Sequence, residues 1–145
     1  MPVLEHSVAE FIERFKHQAS RTTLYPQIEA SPLLEAKIGS QVLYLFDRTG
    51  PYAARHGAAA VIVHPVAETI FVTDADESLT ITAISGLEAV GEVTEVQPHF
   101  VVVRVRQWSF VVGVLDESWR NVKAGDRVGF SSVDVVHGFY VKALQ

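Results

Sequence analysis

The phrase Lys-x-Gly-x-x-Val occurs twice in the 145-residue chain. The copies are residues 37–42, KIGSQV, and 123–128, KAGDRV, and each leads into a run of β-favouring residues. Glycine takes the positive φ of a tight turn at little steric cost, and valine favours the extended state, so each copy predicts a turn that begins a β-strand. The segments that follow the copies differ, so the repeat indicates a shared turn and not a duplicated domain.

Short strand-like segments follow one another from residue 41 onward. Residues 69–73 and 79–84 are expected to form a hairpin across the acidic loop 74–78. Closely spaced short strands predict a mainly β fold, a small β-barrel or sandwich. The predicted strands are residues 41–47, 59–66, 68–73, 79–84, 89–96, 100–106, 109–115, 127–131 and 139–144.

The N-terminal region predicts an amphipathic helix over residues 7–19. Ser7 and Glu10 have the spacing of a capping box, and Val8, Phe11, Ile12 and Phe15 follow at helical intervals. This apolar stripe must cover either the barrel of the same chain or another subunit.

Residues 20–36 are predicted to be an extended arm, with a short helical turn after Ser31-Pro32. Pro26 and Pro32 interrupt this polar stretch and bias their neighbours to extended structure. A further helical turn is expected at 51–56, closed by Gly57. The predicted organisation is a helix and arm at 1–38 and a β domain at 39–145, which could divide into 39–87 and 88–145.

Composition narrows the possible functions. The sequence contains 48% hydrophobic and 20% charged residues, no cysteine, and a formal net charge of −5. Thiolate metal sites and cysteine nucleophiles are therefore excluded, and the acidic balance argues against a nucleic-acid partner without excluding one. No apolar run approaches a membrane span, and the N-terminus does not resemble a secretory signal. We expect a soluble protein without a membrane partner, in the cytoplasm or a virion.

No catalytic, cofactor or metal motif is recognisable in the sequence. His6 and His17 lie too far apart on the predicted helix to share an ion, and His56, His64, His99 and His137 show no paired spacing. The acidic loop 74–77 lacks the glycine and glutamate of a calcium loop. We therefore predict no catalytic, cofactor or metal residues, although a site gathered from residues distant in sequence stays open.

The C-terminal third, about residues 91–144, resembles the small OB or SH3-like barrels of TOBE and S1 type. The resemblance lies in GEVTEV at 91–96, the strand pair that follows, and VKAGDRV at 122–128. TOBE modules bind small oxyanions or cap transporter ATPases, and S1 modules bind single-stranded RNA. By this resemblance Arg104, Arg106 and Trp108 are candidates for an anion or nucleic-acid patch.

We expect a non-enzymatic structural or assembly protein that acts as a homo-oligomer, for example one that decorates and stabilises a virion capsid. Its partners would be further copies of itself and a larger protein assembly. The candidate interface residues are Phe11, Ile12, Phe15 and Trp119. The alternative is an OB or TOBE-like barrel that binds a small anion or single-stranded nucleic acid.

Overall fold

A computed structural model describes residues 5–27, 31–50 and 56–141 of the chain, and 59% of the structure is β-strand. One α-helix, α1 (Val8–Phe15), precedes the strands, and short 3-10 helices lie at Lys16–Gln18 and Glu117–Asn121. The strands of the described residues are β1 (Ser20–Leu24), β2 (Leu33–Ile38), β3 (Gln41–Asp47), β4 (Gly57–Ala67), β5 (Phe71–Val72), β6 (Ser78–Thr82), β7 (Gly86–Gln97), β8 (Phe100–Val105), β9 (Trp108–Val114) and β10 (Arg127–Val141).

Eight of these strands close into a barrel, in the order β10, β3, β2, β1, β4, β9, β8, β7. Strand β10 closes it, because one end of β10 pairs with β7 and the other end pairs with β3. β10 also pairs with β4, from Ser132 opposite Ala67 to Val141 opposite Ala60. β5 and β6 flank this ring, β5 against β10 and β6 against β7. The predicted mainly β fold with a small barrel is confirmed.

The last strand is longer than the sequence predicts. Residues 127–131 and 139–144 were expected as two strands, but β10 runs without a break from Arg127 to Val141. The register with β4 shifts between Val133 and His137, and Asp134 has a φ of 61°. This irregularity bends β10, so that its two halves reach different neighbours.

Helix α1 packs against the outer surface of the barrel. The side chains of β8 face two ways. Val101, Val103 and Val105 point into the barrel interior, which we call the main core, while Phe100 and Val102 point to the helix. The helix begins as predicted, because the Ser7 side chain accepts a hydrogen bond from the Glu10 amide at 3.0 Å. It ends at Phe15, earlier than residue 19, where the chain tightens into a 3-10 turn. Strand β8 thus lies between two apolar clusters, the main core inside the barrel and a second cluster beneath α1.

The predicted arm is extended but belongs to the barrel wall. β1 pairs with β4 and β2, and β2 pairs with β3. Leu24, Leu34 and Ala36 bury their side chains in the main core, which stabilises both strands in the wall. Strand β2 also replaces the helical turn predicted after Pro32. Strand pairing therefore crosses the boundaries expected at residues 38 and 87. The helical turn predicted at 51–56 lies almost wholly outside the described residues.

The predicted hairpin of 69–73 with 79–84 was wrong. β6 pairs with β7 across the short turn 83–85, where Ala83 has a φ of 52°. β5 instead pairs with β10, where the Phe71 ring lies 2.8 Å from the position that a Cβ on Gly129 would take. Because residue 129 is a glycine, the Phe71 ring fits against β10. β5 therefore pairs with β10 and not with β6.

Candidate functional site

A buried carboxylate lies where β3, β4 and β10 meet. Glu5, which precedes helix α1, is only 6% exposed. Its Oε1 accepts hydrogen bonds from Arg48 Nε at 2.6 Å and His137 Nδ1 at 2.8 Å. Its Oε2 lies 3.1 Å from His64 Nε2, within ion-pair range but outside hydrogen-bond alignment. We call these four residues, Glu5, Arg48, His64 and His137, the carboxylate cluster.

Strand pairing brings the three cluster residues of the barrel together. His137 on β10 lies opposite His64 on β4, and it lies opposite Phe46 of β3 on its other side. Arg48 follows directly after β3, and its amide donates a hydrogen bond to the Gly138 carbonyl at 2.9 Å. Because β10 is the central strand of the three, its two neighbours direct side chains to one point.

The His64 ring is fixed by a hydrogen bond at Nδ1 and by aromatic packing. Its side chain is 1% exposed, and its Nδ1 donates to the Val111 carbonyl on β9 at 2.7 Å. A carbonyl oxygen only accepts, so Nδ1 carries a proton. The ring packs 4.9 Å from Phe11 of helix α1 and 5.8 Å from Phe100. Apolar packing thus holds Nε2 towards Glu5.

The cluster keeps Glu5 ionised. Burial would raise the pKa of this carboxyl, but the hydrogen bond from His137 and the close imidazole of His64 lower the pKa far below its ordinary value. Among the described residues, no Ser, Thr or Tyr hydroxyl is hydrogen-bonded to Glu5, His64 or His137. The arrangement holds a carboxylate, and within the described part of the chain it contains no hydroxyl placed as the nucleophile of a Ser-His-acid triad.

Clustered histidines and carboxylates can also bind a metal ion. In 5–27, 31–50 and 56–141, no group of three or more His, Asp or Glu side chains could hold a metal ion. In the carboxylate cluster, Glu5 faces one arginine and two imidazoles.

The predicted helix interface was wrong for its aromatic residues. Phe11 is 1% exposed and Phe15 is fully buried, and both pack with Phe100 and Phe139 of the same chain. Ile12 is half-buried against the same cluster. The stripe faces inward because the outer wall of the barrel offers matching aromatic rings.

Trp119, the other predicted interface residue, lies in the 3-10 turn that follows β9. It is half-buried against the main core. The Arg120 guanidinium stacks over its ring at 4.4 Å, and His99 lies 5.5 Å away. Its ring is thus largely covered by residues of the same chain.

The predicted anion patch lacks its aromatic platform. Arg104 and Arg106 are exposed, and Arg104 lies 4.0 Å from Glu92. Trp108, however, is 6% exposed and belongs to the main core, so its ring cannot stack a base. One edge of Trp108 instead borders a groove of about 460 Å³. This groove is lined by Arg21, Thr22, Thr23, Lys37, Gly39, Gln107 and Trp108.

Sequence reasoning missed the carboxylate cluster because its members are far apart in the chain. Glu5 is 43 residues from Arg48 and 132 residues from His137. One signal was available. His64 and His137 each interrupt an apolar strand, and a buried imidazole needs a polar partner.

Comparison with protein-family models, curated proteins and solved structures finds no match for this chain. The likeness of residues 91–144 to TOBE and S1 barrels therefore stays a resemblance in sequence pattern. In the described residues, no helix is long and apolar enough to cross a membrane.

Proposed function

We propose that the protein is a non-enzymatic assembly protein that self-associates through strand β6. One observation carries this proposal. β6 ends the order of strands in the sheet, and within the described residues its strand partner is β7 alone. Its outer edge therefore offers backbone N–H and C=O groups to a further strand.

The composition of β6 supports its use as an interface. Natural edge strands carry charges, prolines or bulges that prevent pairing with other chains. β6 has the sequence SLTIT, which contains none of these residues and is rich in strand-forming side chains. The edge lacks the usual protection against strand addition.

An exposed apolar residue lies next to this edge. Ile84 is 66% exposed in the turn between β6 and β7. The turn is fixed to the barrel, because the Ser85 hydroxyl donates to the Tyr44 carbonyl and accepts from the Val136 amide at 3.1 Å. A rigidly presented apolar side chain beside an open edge favours a contact with another protein.

The charges around β6 favour antiparallel self-pairing. Asp74, Asp76 and Glu77 precede the strand, whereas its other end carries no charge from Ala83 to Ser85. A two-fold axis at Thr80 would place the two acidic loops at opposite ends of the contact, but parallel pairing would bring them together. We therefore propose a symmetric dimer with a continuous sheet, as is usual for isologous contacts.

Thr80→Lys tests this contact without weakening the monomer. Thr80 is exposed and lies opposite Glu88 of β7, so a lysine there gains an opposite charge within its own chain. In the dimer it would face the same lysine. Sedimentation equilibrium should give a wild-type dimer at micromolar concentration, monomeric Thr80→Lys and dimeric Thr80→Val. A monomeric wild type, or equal association of Thr80→Lys, would contradict the proposal.

Proteins that decorate and stabilise a virion capsid are one example of this class, and such a role would use the same self-association on a larger assembly. Two features support a member of this class, the small barrel and the unprotected edge of β6. Binding to assembled capsids, measured by co-sedimentation with and without Thr80→Lys, would test it.

A second candidate function is the binding of a small anion in the groove beside Trp108. Arg21 and Lys37 are exposed there, and no carboxylate of the described residues lies within ion-pair distance of either cation. Thr22, Thr23 and Gln107 add polar groups. Titration with pyrophosphate should show salt-dependent binding that is lost in Arg21→Ala/Lys37→Ala but kept in Arg104→Ala. Equal binding by the double variant would exclude this groove.

A further inference from the structure

In the carboxylate cluster, three residues of the barrel surround the side chain of a residue that lies outside the barrel. Arg48, His64 and His137 belong to the barrel, on or directly after β3, β4 and β10. Glu5 comes from outside it, in residues 5–7, which form neither helix nor strand before α1. The short segment before α1 thus places the Glu5 carboxylate in a site that the barrel forms.

The barrel residues make a site that is specific for a carboxylate. The Arg48 and His137 donors converge on one oxygen, and His64 faces the other oxygen at 3.1 Å. The Arg48 guanidinium is always charged, and both imidazoles turn a ring nitrogen to the carboxylate, so the site favours a negative group between them. His64 cannot turn away, because its Nδ1 is bonded to the Val111 carbonyl.

The size of the ligand follows from the covalent structure of glutamate. Replacing Glu5 by alanine removes Cγ, Cδ and both carboxylate oxygens, and these are the heavy atoms of one acetate ion. The space left beside Arg48, His64 and His137 would have the shape and the donors for a small monocarboxylate.

We propose that Arg48, His64 and His137 form a carboxylate-binding site that Glu5 fills as an internal ligand, and that accepts the carboxylate of another molecule when Glu5 is withdrawn. The incoming carboxylate could be a small monocarboxylate from solution or the Glu5 side chain of a second copy. The proposal does not depend on pairing through β6.

The direct test is the rescue of Glu5→Ala by acetate at neutral pH. Thermal unfolding is followed by circular dichroism in sodium acetate and in sodium chloride of equal ionic strength. At an acetate concentration about twentyfold above Kd, the Tm of Glu5→Ala should rise by about 4–7 °C. Wild type and Glu5→Gln should show no such rise, because their side chains fill the space. Propionate should bind more weakly, because its extra methylene overpacks the site.

A mixing experiment identifies the source of the carboxylate. Glu5→Ala retains the site but lacks the ligand, and Arg48→Ala retains the ligand but weakens the site. If a second copy donates Glu5, an equimolar mixture should contain a species with a higher Tm than either variant alone. If only acetate raises the Tm, the site takes a small carboxylate and the N-terminal segment stays on its own barrel.

Either rescue supports the site, and the absence of both overturns it. Should Glu5→Ala be unfolded in dilute buffer, refolding on addition of acetate, but not of chloride, is the supporting result. Failure of acetate to refold it, together with an unchanged mixture, would show that Arg48, His64 and His137 do not form a carboxylate site.

Discussion

The Phe11 ring stacks on the Phe139 ring, with centroids 4.4 Å apart and an interplanar angle of 22°. This contact attaches helix α1 to β10, the strand that closes the barrel. The Phe11 ring also lies 4.9 Å from the His64 ring, so the aromatic cluster and the carboxylate cluster meet at one side chain. The N-terminal region is therefore held by an apolar contact and an ionic one.

Phe11→Ala should destabilise the fold strongly. Phe11 is buried among Phe15, Phe100 and Phe139, and truncation would leave a cavity with an expected loss of about 3–5 kcal/mol in the free energy of unfolding. Ile12→Ala, at a half-buried position on the same helix, should lose less. Urea unfolding measures both. A loss below about 1 kcal/mol for Phe11→Ala would mean that α1 does not pack as described.

Acid should remove the stabilisation that Glu5 provides. The folded-state pKa of Glu5 lies below its ordinary value of 4.5, so its contribution is fully present above that pH and declines as the pH falls below it. The difference in unfolding free energy between wild type and Glu5→Gln should shrink by up to about 1.4 kcal/mol per pH unit. Urea unfolding from pH 7 to pH 3 measures it. A difference that does not change with pH would be inconsistent with an ionised, paired Glu5.

Ser7→Ala should weaken the start of helix α1. The Ser7 hydroxyl accepts the Glu10 amide hydrogen bond at 3.0 Å, and loss of such a cap costs about 0.5–2 kcal/mol. Ser7→Asp retains an acceptor and should remain close to wild type. Thermal unfolding of the three proteins provides the comparison, and equal Tm values for Ser7→Ala and Ser7→Asp would show that the cap does not contribute.

Gly91→Ala should disturb the pairing of β7 with β8. A Cβ at this position would overlap the Arg104 carbonyl oxygen and would lie 2.8 Å from a methyl carbon of Val105. Because one obstacle is backbone, the strands must move, and we expect a loss of about 1–3 kcal/mol. Gly39→Ala provides a contrast, because a Cβ there meets open space and its cost comes from the φ of 62°, whereas Gly91 has no positive φ and its cost comes from the contact. Urea unfolding of Gly91→Ala with no loss would contradict the close approach.

Local patterns made much of the fold predictable. The alternating side chains of residues 41–47 gave the bounds of β3, and the Ser7 cap gave the start of α1. The unbroken strand Arg127–Val141 was harder to predict, because Asp134, where the strand bends, is a residue type that is rare inside strands. Which strands pair depends on contacts such as Phe71 against Gly129, and a periodic pattern contains no such information.

The same limit applies to the sites. An apolar stripe such as Phe11 and Phe15 predicts that something covers it, but the stripe alone does not distinguish a subunit from the chain's own barrel. Glu5 gave no signal of its own, since a glutamate before a helix is common at an exposed surface. The partners of Glu5 come together through the strand register, which places His137 opposite His64.

Amide hydrogen exchange of strand β6 at increasing protein concentration tests the proposed assembly most directly. If copies pair through this edge, those amides of Ser78–Thr82 that point away from β7 should exchange more slowly as the concentration rises, while the amides of helix α1 keep their rates. The effect should disappear in Thr80→Lys. Concentration-independent exchange throughout β6 in the wild-type protein would contradict self-association through this strand.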